Sequence, residues 1–581
     1  MSNQELSQLF NRIANLMEIK GENRFKILAY QRASDSIKTM TEDLAKLSQE
    51  DLLQLPGIGQ ALAEKIVEFS QTGRLKFLTK LEEEVPPTLI DLLNVPDVGP
   101  KKAALFWKSL GITTLEQLEA AAKSGKLRDL PGLGEKSESR ILTGLQAQQY
   151  NRKRYPIPEA EGIAQDWKER ISKQKGVTRL ELAGSLRRMR QTIGDLDLVG
   201  SADDQAAVME FFTSQPEVAD ILSRGDWKSS VRLKSGIQIQ LWLQPKEKFG
   251  SLLQFVTGSK DHNVRLREFA LKRGLSLSER GFVTKDLKEI LCAEEELVYT
   301  ALGLPFIPPE MREDRGEIEA AAKNSLPHVI GISDINSDLH LHSNWSDGKN
   351  SLEDIAEAAL ESGLKLIALT DHTISAPTSD PDDRLAVEQI PARNSSIRKI
   401  QTQMAGKLII LNGIEVDILP DGRLDFPDEA LAQFDLVIAS IHLEMNQPAD
   451  QITQRLLSAI RNPFIDIIGH PSCRELPNSN GADLDWEVIF NAAGENGTIL
   501  EINSNPLHLD LDDIRARRAA ESGVLLAVNS DAHTLQAMGN LKYGVGTARR
   551  AWLTREHVIN ARKTEELINW LKRRKATARG R

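Results

Sequence analysis

Residues 338–348 read Asp338-Leu339-His340-Leu341-His342-Ser343-Asn344-Trp345-Ser346-Asp347-Gly348, two imidazoles and a carboxylate at the end of an apolar run. His340 and His342 stand two apart, so on a strand both project to one face and can reach one ion. A single pair of this kind arises by chance along a half-buried strand. Five further apolar runs give it weight. Leu366–Thr370 leads into Asp371-His372, and Leu408–Leu411 leads towards Glu415. Leu436–Ile441 ends at His442, Ile465–Ile468 at His470, and Leu525–Val528 at Asn529-Ser530-Asp531-Ala532-His533. Helix-length segments lie between them, among them 351–362 and 449–461. Strands buried on both faces and alternating with helices describe a parallel β/α barrel or layered sheet, with its chemistry at the C-terminal strand ends. Each histidine alone reads as a local strand cap. Six of the chain's ten histidines at strand ends read as a metal site. Nitrogen and oxygen ligands without cysteine suit Zn²⁺, Mn²⁺ or Fe²⁺.

The 581 residues are enough for several domains. Two cysteines, Cys292 and Cys473, give no disulfide framework, and residues 1–6 carry no charged-then-apolar leader. A soluble, cytoplasmic protein is the expectation. The net charge of −10 is unevenly held: residues 331–581 have 26 Lys+Arg against 36 Asp+Glu, while the first 330 are near neutral. The acidity belongs to the region of the histidines, and the remainder is free to carry a basic face.

Residues 1–50 show helical apolar spacing in 6–19 and 27–40. Three related turns follow. Leu55-Pro56-Gly57-Ile58-Gly59, Val95-Pro96-Asp97-Val98-Gly99 and Leu130-Pro131-Gly132-Leu133-Gly134 each open a helix. A tight turn with amides exposed at a helix N-terminus binds phosphate without reading sequence. The set resembles helix-hairpin-helix DNA-binding elements, and the middle one carries Asp97 where the first glycine is expected. Gly57, Gly59, Gly99, Gly132 and Gly134 are the DNA-binding candidates.

Beyond Tyr155-Pro156-Ile157-Pro158, a domain boundary, stand Gly184-Ser185-Leu186-Arg187-Arg188 and Gly194-Asp195-Leu196-Asp197. Gly-Ser offers close backbone approach and a hydroxyl to a triphosphate, and two alternating aspartates can share divalent ions. The pattern resembles the palm of family X DNA polymerases. The resemblance implies Mg²⁺ or Mn²⁺ at Asp195 and Asp197, with nucleotide contacts from Gly184, Ser185, Arg188, Gly194, Gly258 and Asn263. Lys65 falls where eukaryotic relatives carry the Schiff-base lysine of a deoxyribose-phosphate lyase; a solvated helix lysine near phosphate is the competing reading. The third catalytic carboxylate of the family falls on Gln240, and no Asp or Glu occurs from Trp227 to Lys246. Polymerisation is therefore expected to be weak or absent, since losing a general base costs about 10²–10⁴ in rate.

The C-terminal part resembles the PHP (polymerase and histidinol phosphatase) domain, a distorted (β/α)7 barrel with a trinuclear metal site. All nine ligand positions match: His340, His342, Asp347, His372, Glu415, His442, His470, Asp531 and His533. By resemblance one ion takes His340, His342, Glu415 and Asp531; a second takes Asp347, His372 and His533; a third takes His442 and His470, with Glu415 bridging. Up to three Mn²⁺ or Zn²⁺ ions are implied. The whole chain follows the order of bacterial family X polymerases fused to a PHP domain. The expected division is 1–80 (helix-hairpin-helix, lyase-like), 81–150 (second helix-hairpin-helix, fingers-like), 151–318 (α+β nucleotidyltransferase palm and thumb), 319–334 (linker) and 335–581 (PHP). The expected function is a monomeric DNA-repair enzyme that binds gapped, nicked or 3′-ended DNA, with deoxynucleoside triphosphate as a second partner, and hydrolyses phosphoesters. Exonuclease, abasic-site endonuclease and 3′-phosphatase are not separated. The alternatives are a gap-filling polymerase edited by the PHP domain, a palm that only delivers DNA ends, and a phosphatase of the histidinol-phosphate type. The last leaves three hairpins and a palm without purpose. The basic tail from Lys572 to Arg581 is expected to be a solvated, disordered end.

Overall fold

The computed structural model describes residues 3–579 apart from 40–43, 45–46, 56–57, 73, 96 and 374–383. Two compact units divide the chain, Met1–Lys153 and Arg154–Arg581.

The first unit is helical among its described residues, and one apolar cluster runs through it from Leu6 to Leu145. Gly59, Gly99 and Gly134 each immediately precede a helix: Gln60–Thr72, Pro100–Leu110 and Glu135–Arg152. A Cβ on any of the three would meet nothing within 4 Å, so space stands open in front of those helix N-termini. Asp97 has φ +65°, the left-handed backbone that the hairpin needs and glycine usually supplies. Its carboxylate meets Arg140 at 3.1 Å, which joins the second hairpin to the third helix.

In the second unit the palm sheet has strands β1 (Val177–Leu182), β2 (Asp195–Ala202), β3 (Val218–Ser223), β4 (Lys228–Leu233) and β5 (Gln238–Leu243), in the order β1-β2-β5-β4-β3. The β2–β5 pair is parallel and sets Gln240 opposite Asp197. A thumb of helices and a three-stranded sheet packs around Phe282, Val298 and Tyr299. Arg187 of the palm and the fully buried Arg312 both pair with Glu295, which ties thumb to palm. Residues 319–334 are packed rather than loose: Ala321 and Val329 join the thumb cluster, and Ile330 joins the barrel's.

The barrel strands are β6 (Ser337–Leu341), β7 (Leu366–Leu369), β8 (Ile409–Asp417), β9 (Leu436–Ser440), β10 (Ile467–Ile468), β11 (Ile499–Asn503) and β12 (Leu526–Asn529), parallel and in chain order. Leu341 bridges Ala532, which brings the last strand back to the first. Aliphatic side chains on both faces divide between an interior cluster, with Leu339, Ala368 and Ile438, and an outer one under the helices. Three crossover helices start on side-chain caps, Ser351, Asp485 and Asp512; Ser351 and Asp354 form a capping box at the start of Leu352–Glu361.

The tail departs from expectation. Thr564–Arg579 is a helix whose Leu567 and Leu571 join the barrel's interior cluster. Arg574 and Lys575 meet the buried Asp466 carboxylate, each at 3.1 Å. These two basic residues balance a buried charge, which a composition reading of the tail could not see. Palm and barrel share apolar contacts, because Leu476, Leu509 and Tyr543 belong to the palm cluster. Lys542 and Tyr543 both reach Glu161 at 2.7 Å.

Candidate metal centre and palm cleft

The register of β6 slips between Asp338 and Leu341, and the strand ends before His342. Plain alternation therefore does not aim the two histidines; a bulge beside the site does. Gly348 makes the turn possible, since a Cβ there would lie 2.4 Å from the His342 carbonyl oxygen.

Glu415, fully buried on β8, lies at the middle. Its Oε2 is 3.0 Å from His372 Nδ1, 3.2 Å from His340 Nε2 and 3.5 Å from His342 Nε2. Its Oε1 is 3.3 Å from His470 Nε2 and 3.7 Å from His442 Nε2. Asp531 Oδ1 lies 3.1 Å from His342 Nε2, and Asp347 Oδ1 lies 3.3 Å from His533 Nε2. All nine predicted positions thus converge. Among the described residues, three groups have ligand atoms close enough to share an ion: His342, Asp347, His372 and His533; His340, His342 and Asp531; His372, Glu415 and His442. The first group adds His342 to the expected second set, the third pairs His372 with Glu415, and His470, expected beside His442, joins none of the three.

The chemistry of these atoms fits metal. His340 Nε2, both His342 ring nitrogens, His372 Nδ1 and both Glu415 oxygens are buried without a hydrogen-bond partner. Buried polar atoms are almost always satisfied, so so many orphans turned on one another mark a cation site. Burial, then the neighbouring His533 and His372, push the His342 imidazole down to about 3, towards the neutral form that a ligand needs. Against the cost of burial, Asp347 and Asp531 hold His533 up to about 9. Asp531 and His470 both have positive φ, a strained backbone of the kind that gathers at functional sites.

Several supporting residues escaped the sequence reading. Glu501 Oε1 accepts from His340 Nδ1 at 2.8 Å, and its Oε2 accepts from the His470 amide at 2.8 Å. Asp417 accepts from His442 Nδ1 at 2.9 Å. These bonds fix the tautomers that turn Nε2 of His340 and His442 inward. Asp371 accepts from the Ser343 amide and from the buried Arg393, and so holds the loop after β6. A carboxylate inside an apolar run, as in Leu500-Glu501-Ile502, was the available signal.

In the palm, Gly184, Ser185, Arg188, Asp195, Asp197, Gln240, Gly258 and Asn263 line one cleft of about 440 Å³. Gly194 sits beside it, against Arg154. Gln240 Nε2 donates to Asp195 Oδ2 at 2.8 Å, and Trp242 Nε1 donates to Asp197 Oδ1 at 3.3 Å. Burial and the adjacent Asp195 charge push the Asp197 carboxyl up to about 7. Arg188 is held by Glu313 and the Thr257 carbonyl. Asn263 bonds Gln254 and the Phe255 carbonyl, so its amide is internally engaged. In the helical unit, Lys65 donates to the Ala61 carbonyl and stands 5.1 Å from the Phe77 ring centre. Gly57 lies outside the described residues. No helix among the described residues is long and apolar enough to cross a membrane.

Family models match in chain order: a helix-hairpin-helix domain at residues 1–75, a SAM-like helix-hairpin-helix tandem at 89–147, a DNA polymerase beta thumb at 252–313 and a PHP domain at 338–505. The chain is 36% identical over 576 residues to the DNA polymerase/3′-5′ exonuclease PolX of Bacillus subtilis (strain 168), across 99% of this chain and 100% of that protein. A stretch of 235 residues, 38% of this chain, is 31% identical to a probable phosphatase of Thermoanaerobacter sp. (strain X514), across 89% of its length. Another, of 247 residues, is 30% identical to a probable phosphatase of Edwardsiella ictaluri (strain 93-146), across 41% of this chain and 94% of that protein. Matched from end to end at this identity, and carrying the same modules in order, the chain belongs to the bacterial PolX-like family X polymerases with a C-terminal PHP domain.

Proposed function

We propose that the chain is a DNA-repair phosphoesterase, with the barrel centre as its engine and DNA 3′ ends in gaps and nicks as its substrate. The observation that carries this is the set of buried, unpartnered nitrogen and oxygen atoms around Glu415. Mn²⁺ or Zn²⁺ held by the nine ligands would bind phosphoryl oxygens, acidify a water and neutralise the leaving oxygen. The chain's own part is to aim the donors. Glu501 and Asp417 hold two rings in the required tautomer, and Glu415 places both its oxygens between the ligand groups. Residues 1–80 and 81–150 contribute sequence-independent phosphate contacts at their open helix N-termini, residues 151–318 form palm and thumb, and residues 335–581 cleave.

Changing His340 and His342 together to Ala should reduce metal-stimulated degradation of 3′-labelled gapped DNA to background while leaving DNA affinity unchanged. Undiminished degradation would move the activity elsewhere. The likeness to probable phosphatases supports a second reading, removal of a terminal 3′-phosphate. A primer ending in 3′-phosphate separates the two: loss of phosphate without shortening favours the second.

A further inference from the structure

In the family that the palm belongs to, divalent ions are held by three carboxylates; here the residues present do not fit such ions. A hard cation needs oxygen lone pairs turned to a common point. Asp195 Oδ2 already accepts the Gln240 amide at 2.8 Å, and Asp197 Oδ1 accepts the Trp242 indole at 3.3 Å. An amide nitrogen and an indole nitrogen are donors only, and offer an ion nothing in return. The indole is held in place: the Lys228 ammonium lies 3.9 Å from its ring centre, and Phe255 meets it edge-on at 6.3 Å. The other Asp197 oxygen lies close against Gly184, where a Cβ would stand 2.3 Å away. Gly184 has φ +62°, so glycine is required on both counts. Gln240 and Trp242 thus each turn an N–H donor onto one oxygen of the aspartate pair.

The cleft has nevertheless kept the features that take phosphate. Lys260 and Arg267 line it, and the buried Ser185 Oγ has no hydrogen-bond partner. Its volume, about 440 Å³, falls in the range of small-molecule sites.

We propose that the palm is a metal-independent nucleotide site: Gln240 and Trp242 each occupy one oxygen of the two aspartates that would hold ions, and no third carboxylate stands beside them, while Lys260, Arg267 and Ser185 take the phosphates of a deoxynucleoside triphosphate that is bound and not transferred. This stands apart from the barrel reading, since neither residue pair touches the barrel ligands.

The test is a titration of the full-length chain with fluorescently labelled dATP, once in EDTA and once in Mg²⁺. The two dissociation constants should agree within about twofold, and Lys260→Ala with Arg267→Ala should weaken both by about tenfold or more. A second readout is Mn²⁺ paramagnetic resonance in a chain carrying His340→Ala and His342→Ala. Beyond the Mn²⁺ that dATP chelates by itself, adding dATP should bind no further Mn²⁺, whereas adding Gln240→Asp and Trp242→Phe should make the chain take up a second ion with the nucleotide. Tightening of the unmodified chain by tenfold or more in Mg²⁺, or no saturable binding in EDTA, would overturn the proposal. The unmodified titration decides this even if the multiple variant does not fold.

Discussion

The barrel centre and the palm cleft both bring carboxylates close together at strand ends, yet their surroundings are opposite. Around Glu415 the neighbours are imidazole nitrogens, and the facing atoms leave one another unsatisfied. Around Asp195 and Asp197 the neighbours include N–H donors, one bonded to an oxygen of each. A carboxylate cluster is therefore no evidence for metal until its partners are known. What distinguishes a cation site is a set of acceptors with nothing to accept.

The largest effect that would break this contrast is a gain. In a chain whose barrel carries His340→Ala and His342→Ala, Gln240→Asp restores the missing acceptor and Trp242→Phe removes the second donor. Gap-filling incorporation should rise by about 10²–10⁴ over the Gln240 form, the worth of a positioned base, and Gln240→Asp alone should gain less. Asp195→Ala in that background should abolish the gain. Strong incorporation by the unmodified palm would show that another group replaces the carboxylate.

Glu295 sharpens the comparison from a third direction, as a buried carboxylate whose partners are cations. Its burial is outweighed by Arg312 and Arg187, which hold the carboxyl down to about 2. The stability this supplies is complete above the ordinary value of 4.5 and is lost as pH falls from there towards 2. Glu295→Gln should cost about 3–5 kcal/mol at neutral pH, because it strips the carboxylate from the fully buried Arg312. In acid the difference between the two forms should shrink, and denaturant unfolding at both pH values measures it.

A smaller effect is expected behind the barrel ligands. Glu501→Ala removes the acceptor that orients His340, and Mn²⁺ affinity should fall by about 10–100-fold with the fold retained. An unchanged affinity would mean that packing alone fixes the ring.

These regions also differ in how far the sequence revealed them. The barrel positions stood out because imidazoles and carboxylates interrupt apolar runs at or near their ends, and the resemblance to the PHP domain completed the set of nine. Glu501 and Asp417 were not, since their partners come from other strands and only the closed barrel brings them together. The bulge at His340 was hidden for the same reason: a two-residue spacing looks like alternation until the pairing register is known. In the palm, the substitution of Gln240 could be read directly, but its bond to Asp195 and the role of Trp242 depend on the parallel β2–β5 register. The basic tail was misread because its counter-charge, Asp466, lies more than a hundred residues away at the barrel base.

The most direct measurement is the metal content of the full-length chain after equilibrium dialysis against Mn²⁺, compared between two variants. One carries His340→Ala and His342→Ala, the other Asp195→Ala and Asp197→Ala. The account predicts that the histidine variant loses bound metal while the aspartate variant keeps the full complement of the unmodified chain. Metal lost from the aspartate variant and retained by the histidine variant would contradict it.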